Sequence, residues 1–140
     1  GSAMKLAVNI VIFGLNNALS EALALSEAAG IPREHAYDVL SASAAGSPFV
    51  GYKRAAFLDP EGTPTAFSLR LAEKDLGLIA AFAAGLAISL PQAAVNLDLI
   101  RSAQAGGNEG RDFSFVAEYL RTAGSRANGT GSLGPGGRET

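Results

Sequence analysis

The sequence contains no cysteine, no tryptophan and only one histidine. Without cysteine, the chain cannot form disulfide bonds, thiolate zinc sites, iron–sulfur clusters or thiol nucleophiles, and one histidine cannot make a histidine-rich metal site. We therefore predict no metal site. Any chemistry in this chain depends on lysine, carboxylate, amide or hydroxyl groups.

Charge of one sign is also nearly absent, because 11 basic residues stand against 13 acidic residues, for a formal net charge of -2. So small a charge fits neither a nucleic-acid surface nor an acidic interaction tail. Asn9, Asn16 and Asn17 interrupt the first apolar segment and Pro91 interrupts the second, 76–97, which argues against membrane spans. We expect a cytoplasmic protein with no nucleic-acid or membrane partner.

Apolar residues make up 48% of the chain, which is enough to bury a core in one domain. No segment alternates apolar and polar residues with a period of two, so we predict no strands. Apolar periodicity between glycine and proline boundaries predicts an all-α fold of five or six helices. The predicted helices are about 4–29, 32–43, a short one within 49–57, 68–87, 91–105 and 112–122.

The first helix is apolar almost all round, which predicts a central position, and Gly30 is its expected C-terminal cap. Ser47 and Asp112 are the expected N-caps of the short helix and the last helix. On the third long helix, the residues expected to supply core are Leu69, Leu71, Leu76, Ile79 and Phe82. The glycine-rich sequence from Gly124 predicts a flexible tail, 124–140, after a folded domain, 1–123.

Lys5 is the only charged residue between Met4 and Leu15. Burial among apolar neighbours would make its ammonium exchange protons more readily near neutral pH. The alternative, which spacing alone favours, is a terminal lysine with its amine in water. Asn9 lies about 40° around the helix and about 6 Å along it, so its amide shares a face with Lys5.

Lys74 and Asp75 interrupt the third long helix between Leu71 and Leu76. Spacing alone favours an ordinary solvent-facing pair, because charge on the outer face of a helix is expected. No functional role for either residue follows from the spacing.

Four motifs occur in a characteristic order along residues 1 to about 122. They are GSAMKLAVN, SEALALSEAAGI, FSLRLAEKDLGLIAAFAAGLAISLP and GRDFSFVAEYL, with a Gly/Ser/Pro break between the second and the third. In this order they closely resemble the C-terminal domain of the β-hydroxyacid dehydrogenases. The resemblance implies a helical fold like that of the 6-phosphogluconate dehydrogenase C-terminal domain.

The resemblance also implies roles for individual residues. Lys5 matches the catalytic lysine of the signature Gly-x-x-x-Lys-x-x-x-Asn, and its implied role is acid/base at the oxygen of the carbon that exchanges hydride. Asn9 is implied to hold the lysine and the substrate. Lys74 and Phe67 are implied to contact the nicotinamide cofactor, NAD or NADP, whereas Asp75 is implied to be structural.

The implied activity interconverts a small β-hydroxy acid and its semialdehyde. In the family, the cofactor is bound mainly by an N-terminal Rossmann domain that this sequence does not contain, so we expect a fragment that is inactive alone. The all-round apolar first helix predicts a homodimer or a higher homo-oligomer through the helical domain. The alternative is a non-catalytic helical dimerisation or interaction module.

Overall fold

The computed structural model describes the backbone of residues 2–131 and the side chains of residues 3–124. Over that range it contains seven α-helices, one 3-10 helix and no β-strand, which confirms the predicted all-α fold. The α-helices are α1 (Ser2–Ala28), α2 (Arg33–Ala42), α3 (Pro48–Tyr52), α4 (Arg54–Leu58), α5 (Leu69–Gly85), α6 (Pro91–Ala103) and α7 (Val116–Gly131). The 3-10 helix, Phe113–Phe115, directly precedes α7.

α1 is the central helix, as predicted, because it contacts α2, α5, α6, α7 and the 3-10 helix. Its middle is buried at Phe13, Leu19 and Leu23, which belong to the hydrophobic core. Burial of each of these side chains contributes about 2 kcal/mol. The first turns differ, since Met4 and Val8 are exposed. α1 is thus held through its middle, and its N-terminal turns are accessible.

A row of buried amides fixes α1 against α6 and the 3-10 helix. Asn16 donates to the Phe113 carbonyl at 3.0 Å, and Asn17 donates to the side-chain oxygen of Asn96 at 3.2 Å. The row continues at both junctions, from Asn16 to the Asn17 oxygen at 3.1 Å and from Gln92 to the Asn96 oxygen at 3.2 Å. Because an unpaired buried amide costs about 1–3 kcal/mol, these bonds specify how α1 is rotated about its axis.

One helix in the described part of the chain, Ala3–Ala28, is long and apolar enough to cross a membrane, with a mean hydropathy of 1.4 in its most apolar window. Core helices of globular proteins share those properties. Here 33% of that window is buried against the rest of the domain. The contacts of α1 in this structure are those of a core helix.

α5 is apolar on two faces, and the domain covers one of them. Leu69, Leu76 and Ile79 are buried, as predicted. Leu71 and Phe82, which were also expected in the core, are instead 43% and 44% exposed. At about 100° per residue they lie with Leu78, which is also exposed, on a second face of the helix. We call these three residues, Leu71, Leu78 and Phe82, the outer stripe of α5.

The short helix predicted within 49–57 is two helices, because the helical path breaks at Lys53. The Lys53 backbone N–H closes α3 by donating to the Phe49 carbonyl at 3.0 Å. With φ -90° and ψ 0°, Lys53 is in the bridge region between helical and extended backbone. The residue therefore ends one helix and precedes the next.

α7 continues to Gly131, beyond its predicted end at Thr122. No proline interrupts residues 116–131, and a glycine weakens a helix by about 1 kcal/mol without breaking it. The predicted boundary between a domain, 1–123, and a tail, 124–140, falls inside this helix. The rest of the predicted tail, 132–140, lies outside the described residues.

Two helices end in the same hydrogen-bonded motif with different residues in its left-handed position. After α1, Gly30 has φ +90°, and the next N–H donates to the Ser26 carbonyl at 2.9 Å, which confirms the predicted cap. After α5, Ala87 has φ +59°, and the next N–H donates to the Ala83 carbonyl at 3.1 Å. A Cβ in this conformation crowds the following carbonyl oxygen, so alanine is strained where glycine is not.

We expect Ala87→Gly to raise the free energy of unfolding by about 0.5–1 kcal/mol, because relief of the left-handed strain exceeds the entropy that glycine adds to the unfolded chain. Ala81→Gly is the matched control, since Ala81 is an exposed residue inside α5, where glycine should destabilise by about 1 kcal/mol. Urea unfolding followed by circular dichroism measures both. If both variants changed the free energy of unfolding in the same direction, the backbone strain inferred at Ala87 would be contradicted.

Candidate functional site

A cleft of about 560 Å³ opens between the N-terminal turns of α1, the α3–α4 junction, the start of α5 and the 3-10 helix. Its lining combines four polar side chains with a largely aromatic wall. The polar residues are Lys5, Asn9, Lys53 and Asp75, and the others are Val8, Ile12, Phe13, Phe49, Tyr52, Ala66, Phe67 and Phe113.

Lys5 and Asn9 line the same side of this cleft from α1, one helical turn apart. Asn9 is half-buried, whereas Lys5 is exposed. The buried ammonium considered from the sequence is therefore not what the structure contains. The reason is local, because Met4, Lys5, Ala7 and Val8 are all exposed and the rest of the described chain covers these turns little.

Aromatic rings form one continuous wall of the cleft. The Phe67 ring lies 6.1 Å from the Phe13 ring and 5.7 Å from the Phe113 ring, between centroids, and Phe13 and Phe113 are 5.8 Å apart. Phe49 extends the wall, with its centroid 5.9 Å from that of Phe113. Such edge-to-face and tilted contacts stabilise each pair by about 0.5–1.5 kcal/mol beyond burial. The wall is thus a rigid, flat apolar surface.

The Asp112 carboxylate holds this wall in place. One of its oxygens accepts the backbone N–H groups of Ala66 at 3.0 Å and Phe67 at 3.2 Å. The other accepts the Ser114 N–H at 3.0 Å, as predicted for an N-cap, and the Lys53 ammonium at 2.6 Å. We call this carboxylate with its four donors the Asp112 clasp. It joins the chain before α5, the 3-10 helix and the α3–α4 junction at one point.

The clasp determines the ionisation of Asp112. Burial by itself would raise the pKa of its carboxyl group, but the hydrogen bonds from Lys53 and Ser114 outweigh burial and lower that pKa from its ordinary value of 3.8. Asp112 is therefore a carboxylate throughout the neutral range, and it provides the counter-ion for Lys53.

Lys53 is a cleft residue that the sequence did not indicate. It is only 5% exposed, and besides the pair with Asp112 its ammonium lies 4.7 Å from the centroid of the Phe113 ring. A buried ammonium is costly unless it is paired, so Asp112 and the ring account for its position. No local pattern could have identified it, because its partner lies 59 residues further along the chain.

Of the neighbouring pair on α5, the structure brings Asp75 and not Lys74 to the cleft. Asp75 is half-buried and part of the lining, whereas Lys74 is exposed and outside it. Phe67, predicted together with Lys74, does line the cleft. One step of about 100° around the helix separates the two charged residues. The cofactor role of Lys74 stays a prediction.

The cleft therefore offers an accessible amine and amide, a second ammonium that is buried, and an aromatic wall. This combination suits a small organic anion with a polar reacting group. Among residues 3–124, no group of three or more histidine, cysteine, aspartate or glutamate residues could hold a metal ion. His35 lies on the exposed face of α2, away from this lining.

Comparisons with known proteins agree on one family. A family model described as the NAD-binding domain of NADP-dependent 3-hydroxyisobutyrate dehydrogenase matches residues 1–120. The chain is 32% identical over 126 residues to glyoxylate/succinic semialdehyde reductase 2 of Arabidopsis thaliana, covering 90% of this chain and 35% of that protein. It is 32% identical over 124 residues to 3-sulfolactaldehyde reductase of Escherichia coli, covering 88% and 41%.

Solved structures give the same result. A 3-hydroxyisobutyrate dehydrogenase from Salmonella typhimurium superposes with a TM-score of 0.78 at 32% identity, covering 85% of this chain and 41% of that one. The Mycobacterium tuberculosis 3-hydroxyisobutyrate dehydrogenase with L-serine superposes with a TM-score of 0.74 at 26% identity, covering 86% and 43%. The chain thus spans less than half the length of the relatives it matches.

The clasp predicts a pH-dependent stability. Asp112→Asn should lower the free energy of unfolding by about 3 kcal/mol at pH 7, because Lys53 then keeps a buried charge without a counter-ion. The folded-state pKa of Asp112 lies below the unfolded value of 3.8, so this contribution is complete above that pH and is lost as the pH falls through the folded pKa. The difference from wild type should shrink below about pH 4.

Urea unfolding at pH 7, 5 and 3 measures this difference. Asp98→Asn is the control, since that carboxylate is 80% exposed and its loss should change stability by less than about 0.5 kcal/mol. A penalty for Asp112→Asn that stays constant down to pH 3 would count against the clasp.

Proposed function

The chain belongs to the β-hydroxyacid dehydrogenase family of NAD(P)-dependent oxidoreductases, and we propose that it supplies the catalytic lysine of such an enzyme. The proposed reaction interconverts a small β-hydroxy acid, like 3-hydroxyisobutyrate, and its semialdehyde, with NAD or NADP, in the cytoplasm. One observation carries the proposal: Lys5, Asn9 and Phe67 line a single cleft although Phe67 lies far from α1 in sequence.

In this proposal Lys5 is the general acid and base. Its Nζ donates a proton to the carbonyl oxygen of the semialdehyde as that oxygen gains negative charge, and it takes the proton back from the hydroxyl group in the reverse direction. The exposed position of Lys5 supports this role, because water can replace the proton between turnovers. The Asn9 amide, one turn away, donates to the same substrate oxygen and orients the amine.

The residues present fit the nicotinamide end of the cofactor, which supplies the hydride when it is bound. The flat wall of Phe13, Phe67 and Phe113 suits a planar ring, and we assign the cofactor contact to Phe67. We also assign a contact to Lys74 from the exposed side of α5. In the family, the rest of the cofactor is held by a Rossmann domain that the 140 residues do not contain.

The proposal predicts that removal of the Lys5 amine lowers kcat and leaves KM nearly unchanged. In the protein as its complete gene encodes it, Lys5→Met should lower kcat at least about 100-fold for reduction of glyoxylate, and likewise for reduction of succinic semialdehyde, tartronate semialdehyde or methylmalonate semialdehyde. KM should change little, because the interaction lost is with the transition state. Oxidation of NADPH or NADH, followed by absorbance, measures both constants.

Arg101→Gln is the control for this measurement, because Arg101 is an exposed cation on α6 that does not line the cleft. The 140-residue chain alone should show no turnover with either cofactor. Full activity of Lys5→Met would refute the acid/base role, whereas no oxidation of NADPH or NADH by the complete wild-type protein would favour the alternative function, a non-catalytic helical interaction module.

We further propose that the helical domain forms a homodimer or a higher homo-oligomer, in which exposed apolar residues of α1 and the outer stripe of α5 are buried against a second copy. Leu71, Leu78 and Phe82 are each more than 40% exposed, and they repeat at helical spacing on one face. Apolar residues gathered on one side of a helix mark an interface more often than single exposed leucines do. A second copy is the proposed occupant, since two such stripes can cover each other by two-fold symmetry.

Analytical ultracentrifugation tests this assembly. Wild type should sediment as a dimer or a larger species at micromolar concentration, and Leu78→Glu should shift it toward monomer, because the charge would be buried against the partner. Val39→Glu introduces the same charge and should leave the distribution unchanged, since Val39 lies on α2, away from both proposed contact surfaces, and is 55% exposed. A monomeric wild type at high concentration would refute the assembly.

A further inference from the structure

We propose that Lys53 is the residue of the cleft that binds the anionic end of the substrate. This inference rests on the proposed function, because a β-hydroxy acid and its semialdehyde both carry a carboxylate. Lys5 would act on the reacting oxygen, and Lys53 would hold the carboxylate. The cleft then contains two cations with separate tasks.

The position of Lys53 supports this division. It lies at the break between α3 and α4, and it lines the cleft with Phe49, Tyr52 and Phe113. At 5% exposure it is the most buried cation of the lining, whereas Lys5 is exposed. An ammonium in these surroundings attracts an anion more strongly than one in water, because the local dielectric is lower.

The Asp112 clasp leaves Lys53 able to bind a further oxygen. An ammonium has three N–H donors, and one of them is used on Asp112 at 2.6 Å. The other recorded contact among the described residues is with the face of Phe113, which accepts no ordinary hydrogen bond. Donors therefore remain for a ligand oxygen.

Lys53 is one of four groups that donate hydrogen bonds to the Asp112 carboxylate. Three backbone N–H groups, those of Ala66, Phe67 and Ser114, share the carboxylate with the ammonium. The three N–H dipoles thus help to stabilise its negative charge, and the Lys53 ammonium is not its only partner. Folding has also already removed most of the water from this ammonium, so a carboxylate does not have to displace a full hydration shell from it.

The remaining charge in the lining agrees with this orientation. Asp75, on α5, is the only carboxylate among the cleft-lining residues, and it disfavours an anion on its side. Lys53 lies on a different element, at the α3–α4 junction. An anionic group is therefore directed away from α5 and toward Lys53.

A pair of substrates that differ in charge tests the role of Lys53. Succinic semialdehyde carries a carboxylate, and butanal is an uncharged aldehyde of the same chain length. In the protein as its complete gene encodes it, Lys53→Gln should raise KM for succinic semialdehyde at least tenfold. Its loss of kcat/KM should be at least tenfold smaller for butanal than for succinic semialdehyde, because butanal has no carboxylate for Lys53 to bind.

Two further variants separate recognition from structure. Lys53→Arg keeps the charge and should restore most of the preference for succinic semialdehyde. Arg101→Gln removes a positive charge outside the cleft and should change neither substrate. Equal losses for both aldehydes in Lys53→Gln, or no loss for either, would overturn the proposal and leave the Lys53–Asp112 pair purely structural.

A binding measurement on the 140-residue chain does not depend on activity. The Lys53 ammonium should show a saturable nitrogen chemical-shift change by NMR on titration with 3-hydroxypropionate and none with 1,3-propanediol, and Lys53→Gln should abolish saturable binding. An unchanged Lys53 resonance, or equal changes with both probes, would overturn the proposal. Absence of aldehyde reduction by wild type would refute the proposed function alone, and this titration would still decide the role of Lys53.

Discussion

The cleft depends on one buried carboxylate. Asp112 accepts hydrogen bonds from four donors on three separate segments, and those segments carry most of the aromatic wall. Backbone pairing adds to this, since the Phe113 N–H donates to the Phe67 carbonyl at 2.8 Å. Without the carboxylate, the α3–α4 junction would lose its tie to the 3-10 helix, and Lys53 would be a buried charge with no counter-ion. An all-α domain thus builds its site around an interaction between loops.

α1 connects this site to the core. Its N-terminal turns present Lys5 and Asn9, and its middle fixes the helix through the amides of Asn16 and Asn17. The Asn16 amide donates to the carbonyl of Phe113, a residue of the aromatic wall. The rotation of α1 that directs Lys5 toward the cleft is therefore set by the same bonds that hold the wall. One rotation of α1 about its axis therefore orients both the site residues in its first turns and the core residues in its middle.

The sequence predicts those parts of the structure that depend on nearby residues. Helical periodicity, with the boundaries at Gly30 and Pro91, gives α1, α5 and α6 to within a few residues, whereas α7 runs well past its predicted end. The spacing of Lys5 and Asn9 gives their common face. The place of Phe67 in the site is predicted by the resemblance to the family and not by any pattern in the sequence. Lys53 could not be predicted by either route, because its burial depends on a partner 59 residues away.

The sequence is equally limited in predicting which face of a helix is buried. Leu71 and Phe82 look like core residues in the sequence, and Lys74 and Asp75 look alike on the surface, yet packing exposes the leucine and directs the aspartate to the cleft. Periodicity identifies an apolar face but not what covers it. The rotation of α5 is set by how Leu76 and Ile79 meet the rest of the core, and this is a property of the whole domain.

The Asp112 clasp holds the wall of the cleft without fixing every side chain in it. At positions 66, 67 and 114 the carboxylate accepts hydrogen bonds only from main-chain amides. The exposed side chain of Ala66, which lines the cleft, can therefore be exchanged, by evolution or by an engineer, to reshape the cleft while the carboxylate keeps its partners.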